Sequence, residues 1–154
     1  MADNNKLSKK QIEARQVFAK YCVKTENGCD CAGAQLLSDD GKQYVGNAYW
    51  IARYTKRVDG LKTANRYRNY SKFINDAATA WKTPFCLDDI RVCDNDMFCT
   101  IGDNMYNLNA VKKILNSFKA PYEIGIVSGV FKTLYISDAQ GNDAMVLPLR
   151  SASK

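Results

Sequence analysis

YNLNAVKKILNSFK, residues 106–119, followed by YEIGIV at 122–127, FKTLYIS at 131–137 and AMVLPL at 144–149, decides the fold. From Leu108 to Lys119 the apolar residues Leu108, Ala110, Val111, Ile114, Leu115 and Phe118 recur at the helical period and form one face. Lys112, Lys113, Asn116 and Lys119, with Asn109 and Ser117, occupy the other side, which carries no carboxylate. The three runs behind this helix are short and rich in β-branched and aromatic residues, the composition of strands. Asp138 to Asp143, with Gly141 inside it, predicts the hairpin loop between the last two. Pro148 suits a strand end.

The same order occurs once more toward the N-terminus. Ile12, Ala14, Val17, Phe18, Ala19, Tyr21 and Cys22 give the segment Lys9 to Val23 an apolar face, with Ser8 as N-cap and Asn27-Gly28 as the stop. Its opposite face carries Lys9, Glu13, Gln16, Lys20 and Lys24. AQLLS and KQYVG then flank Asp39-Asp40-Gly41, a hairpin composition, and AYWIARYT supplies a third strand. Two helix-plus-antiparallel-strand units are thus expected, at about 7–55 and 97–150, the second opened by the strand MFCTI and a Gly-Asp-Asn turn. Residues 56–96 join them as a basic helical segment and an acidic loop. Within that join, residues 63–82 predict a helix with Tyr67, Tyr70, Phe73, Ile74, Ala77 and Trp81 on one side, ended by Pro84. The fold class is α+β, a single domain over 1–154 with its helices on one face of antiparallel sheets.

The chain has 154 residues, 46% hydrophobic and 25% charged, the composition of one globular domain. It contains no histidine, which excludes Ser-His-Asp and Cys-His catalysis, imidazole metal sites and a histidine pH switch. No apolar run is long enough to span a bilayer, and MADNNKLSKK has no signal-peptide core, so a cytoplasmic protein without a membrane role is expected. The six cysteines, at 22, 29, 31, 86, 93 and 99, lack the paired spacing of a zinc site. Cys29 and Cys31, between Gly28 and Gly33, are the pair to watch for metal or redox work, while Cys22, Cys86 and Cys99 read as buried thiols. There is no Walker phosphate loop and no dinucleotide fingerprint. Asp88, Asp89, Asp94, Asp96 and Asp103 are dense enough to suggest a Mg²⁺ site of the nuclease type, against the plainer reading of an acidic connection. No enzyme activity, cofactor or bound metal is otherwise expected.

The net charge of +6 is unevenly placed. Residues 1–24 carry six basic and two acidic side chains, 56–82 seven and two, and 107–154 six and three, whereas 25–55 and 83–106 are net acidic. Segregated basic blocks suit phosphate neutralisation, and they equally suit a solvated surface. The candidate nucleic-acid contacts are Lys9, Gln16, Lys20 and Lys24 on the first helix and Lys112, Lys113, Asn116 and Lys119 on the later one. Arg66 and Arg68, interleaved with Tyr67 and Tyr70, add a second candidate, for which a packing stripe is the competing reading.

YNLNAVKKILNSF leading to TLYISDAQGNDAMVLPLR resembles the closing segment of a DNA polymerase sliding-clamp domain, and KQYVGNAYWIARY is similar to the strand pair after the first helix of such a domain. The resemblance implies two β-α-β-β-β units whose helices line a DNA hole while the sheets face outward. It is loose over about two-thirds of the chain and detailed only over the last forty or so residues. The chain departs from it in having room for one such domain, no strand before the first helix and no counterpart for 56–82. Either several copies assemble as a homo-oligomer, or a clamp-like domain serves another use, as a phage or mobile-element protein could. Three functions follow as expectations: a non-enzymatic, clamp-like DNA-associated or replication accessory protein; a phage-type inhibitor of a host nucleoprotein complex such as a CRISPR effector; and a metal-dependent nuclease.

Overall fold

The structure is a computed structural model that describes residues 7–25, 33–36, 41–61, 70–85, 90–92, 97–128 and 132–149. The order begins with α1 (Lys9–Thr25), β1 (Gly33–Leu36), β2 (Gln43–Gly46) and β3 (Trp50–Tyr54). It continues with α2 (Tyr70–Ala77), β4 (Thr83–Phe85), β5 (Arg91–Val92), β6 (Phe98–Ile101) and β7 (Asn104–Asn107). α3 (Leu108–Ser117), β8 (Tyr122–Ile126), β9 (Leu134–Ser137) and β10 (Asp143–Val146) complete it. The fold is α+β.

Both units take the expected order of a helix and then three strands, and they meet in the middle of one seven-stranded antiparallel sheet ordered β1-β2-β3-β10-β9-β8-β4. The last strand of each unit pairs with the other, Trp50 opposite Val146 and Arg53 opposite Asp143. Caps hold the helices where the sequence predicts them. Ser8 Oγ accepts from Gln11 N (3.1 Å) while Gln11 Oε1 accepts from Ser8 N (3.2 Å), a reciprocal capping box. Asn107 Oδ1 accepts from Ala110 N at 2.9 Å and starts α3.

α1 and α3 pack on one face of the sheet through Phe18, Cys22, Val111, Ile114 and Leu115, against Val45, Ala52, Tyr54, Leu134 and Ile136. Contrary to the one-face expectation, α2 covers the other face, with Tyr70, Ile74 and Ala77 over Tyr44, Ile51, Tyr135 and Met145. The central strands are therefore buried on both sides, and β2 and β10 are buried at every position. A bidentate pair lies in that second layer: Arg53 donates from Nε and Nη2 to Asp143 at 2.8 and 2.7 Å, and from Nη1 to Asn75 of α2 at 2.7 Å.

Two glycines allow close backbone approach. A Cβ on Gly46 would lie 2.6 Å from Trp50 O, inside the β2–β3 hairpin, and one on Gly125 would lie 2.5 Å from Trp81 O, where the chain leaving α2 crosses β8. The hairpin is also pinned by buried Asn47, which accepts from Tyr49 N and Trp50 N and donates to Cys22 O at the end of α1.

Three other expectations are corrected. Helical structure after residue 70 ends at Ala77, so Trp81 falls beyond the helix and is 87% exposed; Phe73, on the flank of α2, is half exposed. MFCTI supplies the expected strand as β6, which pairs with Arg91–Val92 and Asn104–Asn107 in a separate three-stranded sheet. Val17 is exposed, because α1 turns it toward solvent beside α3. Ser117 is buried: its hydroxyl donates to Ile114 O and accepts from Tyr54 OH, both at 2.8 Å. Cys22 and Cys99 are buried as expected. Cys29, Cys31, Cys86 and Cys93 lie outside the described residues.

Candidate nucleic-acid interface

α1 and α3 run antiparallel. Tyr21, late in α1, donates to Asn107 at the start of α3 (3.2 Å). Gln11, early in α1, donates to Gln140 (3.0 Å) in the β9–β10 loop, whose Asp138 accepts from Lys119 N just beyond α3 (2.8 Å). The same loop is braced internally, since Asp138 Oδ1 accepts from the backbone of Gln140 and Asn142. Because both helices bury their apolar faces in the same sheet, their polar faces emerge on one side of the molecule.

Lys9, Gln16, Lys20 and Lys24 are exposed on α1, and Lys112, Asn116 and Lys119 are exposed on α3 or just after it. Lys113 is half buried instead. Its Nζ lies 4.8 Å from the centroid of the Tyr21 ring, which stacks on Trp50 at 5.6 Å and 13°, so this cation helps join the helices as well as charging the surface. Lys10, which the sequence reading passed over, is exposed in the groove between the helices with Glu13, Val17, Asn116 and Lys119; the groove encloses about 670 Å³. Lys10 lies two residues after the N-cap Ser8, in the first turn of α1. Glu13 is the single carboxylate on α1, and α3 has none. The ion pairs seen among the described residues, Arg53–Asp143 and Arg57–Asp59, involve none of these lysines. Apart from Glu13, the exposed charge on the two helices is therefore positive. Arg66 and Arg68 lie outside the described residues.

Beneath the lysines lies a cation that sequence reasoning missed. Arg15 is fully buried; its Cζ sits 3.7 Å from the Tyr54 ring centroid and its Nη1 donates to Lys56 O. Nε and Nη2 have no hydrogen-bond partner among the described residues, and burial lowers the guanidinium pKa. The signal was positional: three residues before Phe18 and seven before Cys22, Arg15 belongs to the buried face of α1.

Among the described residues, no group of three or more cysteine or carboxylate side chains could hold a metal ion, and Asp88, Asp89, Asp94 and Asp96 lie outside them. No helix among the described residues is long and apolar enough to cross a membrane. Comparison with family models, with curated proteins and with solved structures found no match to the chain.

Proposed function

We propose that the protein is a non-enzymatic, clamp-like DNA-associated or replication accessory factor that touches phosphate backbones through the joint surface of α1 and α3. The observation that supports this reading is the antiparallel packing of two helices whose exposed faces carry Lys9, Lys20, Lys24, Lys112 and, just past α3, Lys119, none of them in an ion pair among the described residues. Lysines on a helix face can follow phosphates without reading base edges, so binding should be salt-dependent and indifferent to sequence. As proposed, the factor works in the cytoplasm, in a host cell if it is phage encoded. A single domain of this kind does not close round DNA, so encircling it would take several.

Fluorescence anisotropy with a labelled duplex over a range of salt tests the surface. Five phosphate contacts give a log–log salt slope of about −4.5, and Lys20→Glu with Lys112→Glu should make it shallower by about 1.8. Lys112 serves better than Lys113, whose contact with Tyr21 would mix charge with packing. If the double variant binds duplex as tightly as the parent at low salt, the helix faces are not the contact. Solution mass with and without circular DNA separates a ring-forming mode from a monomeric one.

A further inference from the structure

A hollow of about 540 Å³ lies on the flank of α1 away from α3, between the helix and the turn at Gly60. Its volume is in the range of small-ligand sites, about 300–1,000 Å³. Gly60 has φ +86°, a conformation that takes the chain round and carries Leu61 to the far wall. Ala19, Val23 and Leu61 supply apolar lining, and Gln16, Lys20 and Lys24 line it with polar groups at successive turns of α1. One turn apart, the side chains of Lys20 and Lys24 start about 5–6 Å from each other, close enough to share one phosphate. No carboxylate is among the described lining residues. Past Leu61 the sequence continues as KTANRYRN, with three basic residues and no acidic one.

We infer that this hollow holds one unpaired nucleotide of a single-stranded nucleic acid, its base against Val23 and Leu61 and its phosphate between Lys20 and Lys24. Apolar lining with a cationic edge matches a nucleotide, which has a flat weakly polar base and an anionic phosphate. Gln16, with a donor and an acceptor on one amide, can meet the edge of any base. A base inside a duplex is stacked and paired and cannot enter, whereas an unpaired base can be splayed out. This inference rests on the nucleic-acid reading above and adds the form of the ligand.

The test compares a labelled oligothymidylate with a blunt duplex, using the full chain and two variants of a residue outside the proposed phosphate contacts. Val23→Trp fills the hollow without altering charge and should weaken oligothymidylate binding about tenfold, with duplex affinity held within about twofold. Val23→Ala leaves the hollow open and trims only one side of the base contact, so single-strand binding should weaken by no more than about threefold, which separates filling from any loss of structure. If Val23→Trp leaves single-strand affinity unchanged while duplex binding still depends on Lys20 and Lys112, the hollow is not the site and the helix-face reading stands. Single-strand binding that depends on Val23, with no duplex binding, would instead support the hollow and remove the helix-face reading. Absence of binding to either probe removes both.

Discussion

Raising the pH above 10 is expected to unfold the protein through three buried phenols. Tyr54 and Tyr106 are fully buried and Tyr135 is nearly so. Their hydroxyls donate to Ser117 Oγ (2.8 Å), Lys132 O (2.6 Å) and Asp143 Oδ2 (2.7 Å). Burial pushes all three pKa values well above the ordinary value near 10, and at Tyr135 the Asp143 carboxylate pushes further in the same direction. In the unfolded chain the phenols lose their protons near pH 10, while in the folded chain they keep them. The folded state then binds more protons, so stability is complete below pH 10 and falls as the pH rises toward the folded values. Each phenol contributes about 1.4 kcal/mol per pH unit in that window, and three together about 4 kcal/mol. For a domain in the lower half of the typical range, about 5–10 kcal/mol, cooperative unfolding should come about one to two and a half units above pH 10. Phenolate absorbance and far-ultraviolet circular dichroism on the same sample provide the measurement. The three buried phenols should ionise only as the dichroism is lost. Tyr106→Phe should reduce the steepness by about a third. A single ionisation step near pH 10 with unchanged dichroism would refute the reasoning.

Two substitutions test the polar groups in the interior. Asp143→Ala removes the acceptor of two Arg53 bonds and one Tyr135 bond, leaving a guanidinium with a 12% exposed side chain unpaired; denaturant unfolding should show a loss of about 3–5 kcal/mol. Adding Arg53→Met should recover most of it, and a single-variant loss below about 1 kcal/mol would mean that Asn75 and water suffice for Arg53. Arg15→Met takes away a buried charge with two unpartnered nitrogens, so stability should be held or raised by about 1 kcal/mol. A fall of more than about 2 kcal/mol would show that the Tyr54 ring and Lys56 O compensate the charge fully.

The parts of the fold legible in the sequence are those where one local signal fixes one local outcome. Leu108, Val111, Ile114 and Leu115 have a helix period and a capping Asn107 before them, and all are buried. The stripe beginning at Tyr70 was misleading at Trp81 because periodicity has meaning only inside a helix, and α2 ends at Ala77. β7 carried little strand signal in NMYN; it exists because Gly102, at φ +62°, turns the chain back on β6. The position of α2 depends on strand order, which no local pattern contains. A clue was nonetheless present: QYVG, WIARY and DAMV lack the polar-apolar alternation of a half-solvated sheet, and strands buried on both faces read this way. Of the candidate surface, the exposed lysines were legible as the polar face of each helix. That Lys113 would turn onto Tyr21 was not, because it depends on the neighbouring helix.

What joins the two basic faces is the pairing of β3 with β10. Each unit returns its helix to the same face of its own strands, so two units that meet through their last strands in antiparallel register must place their helices side by side and antiparallel. Lys20 and Lys112, each exposed on its own helix, sit on neighbouring helices for that reason, although they are far apart in the sequence. The Arg53–Asp143 pair bridges this seam from the α2 side, and Tyr54 bridges it from the other side by reaching Ser117 of α3. A variant that weakens the seam without touching a lysine, such as Asp143→Ala, should therefore affect duplex binding only through the fraction of folded protein. Binding measured under conditions where that variant remains folded should match the parent, which separates the charge of the surface from the architecture that assembles it.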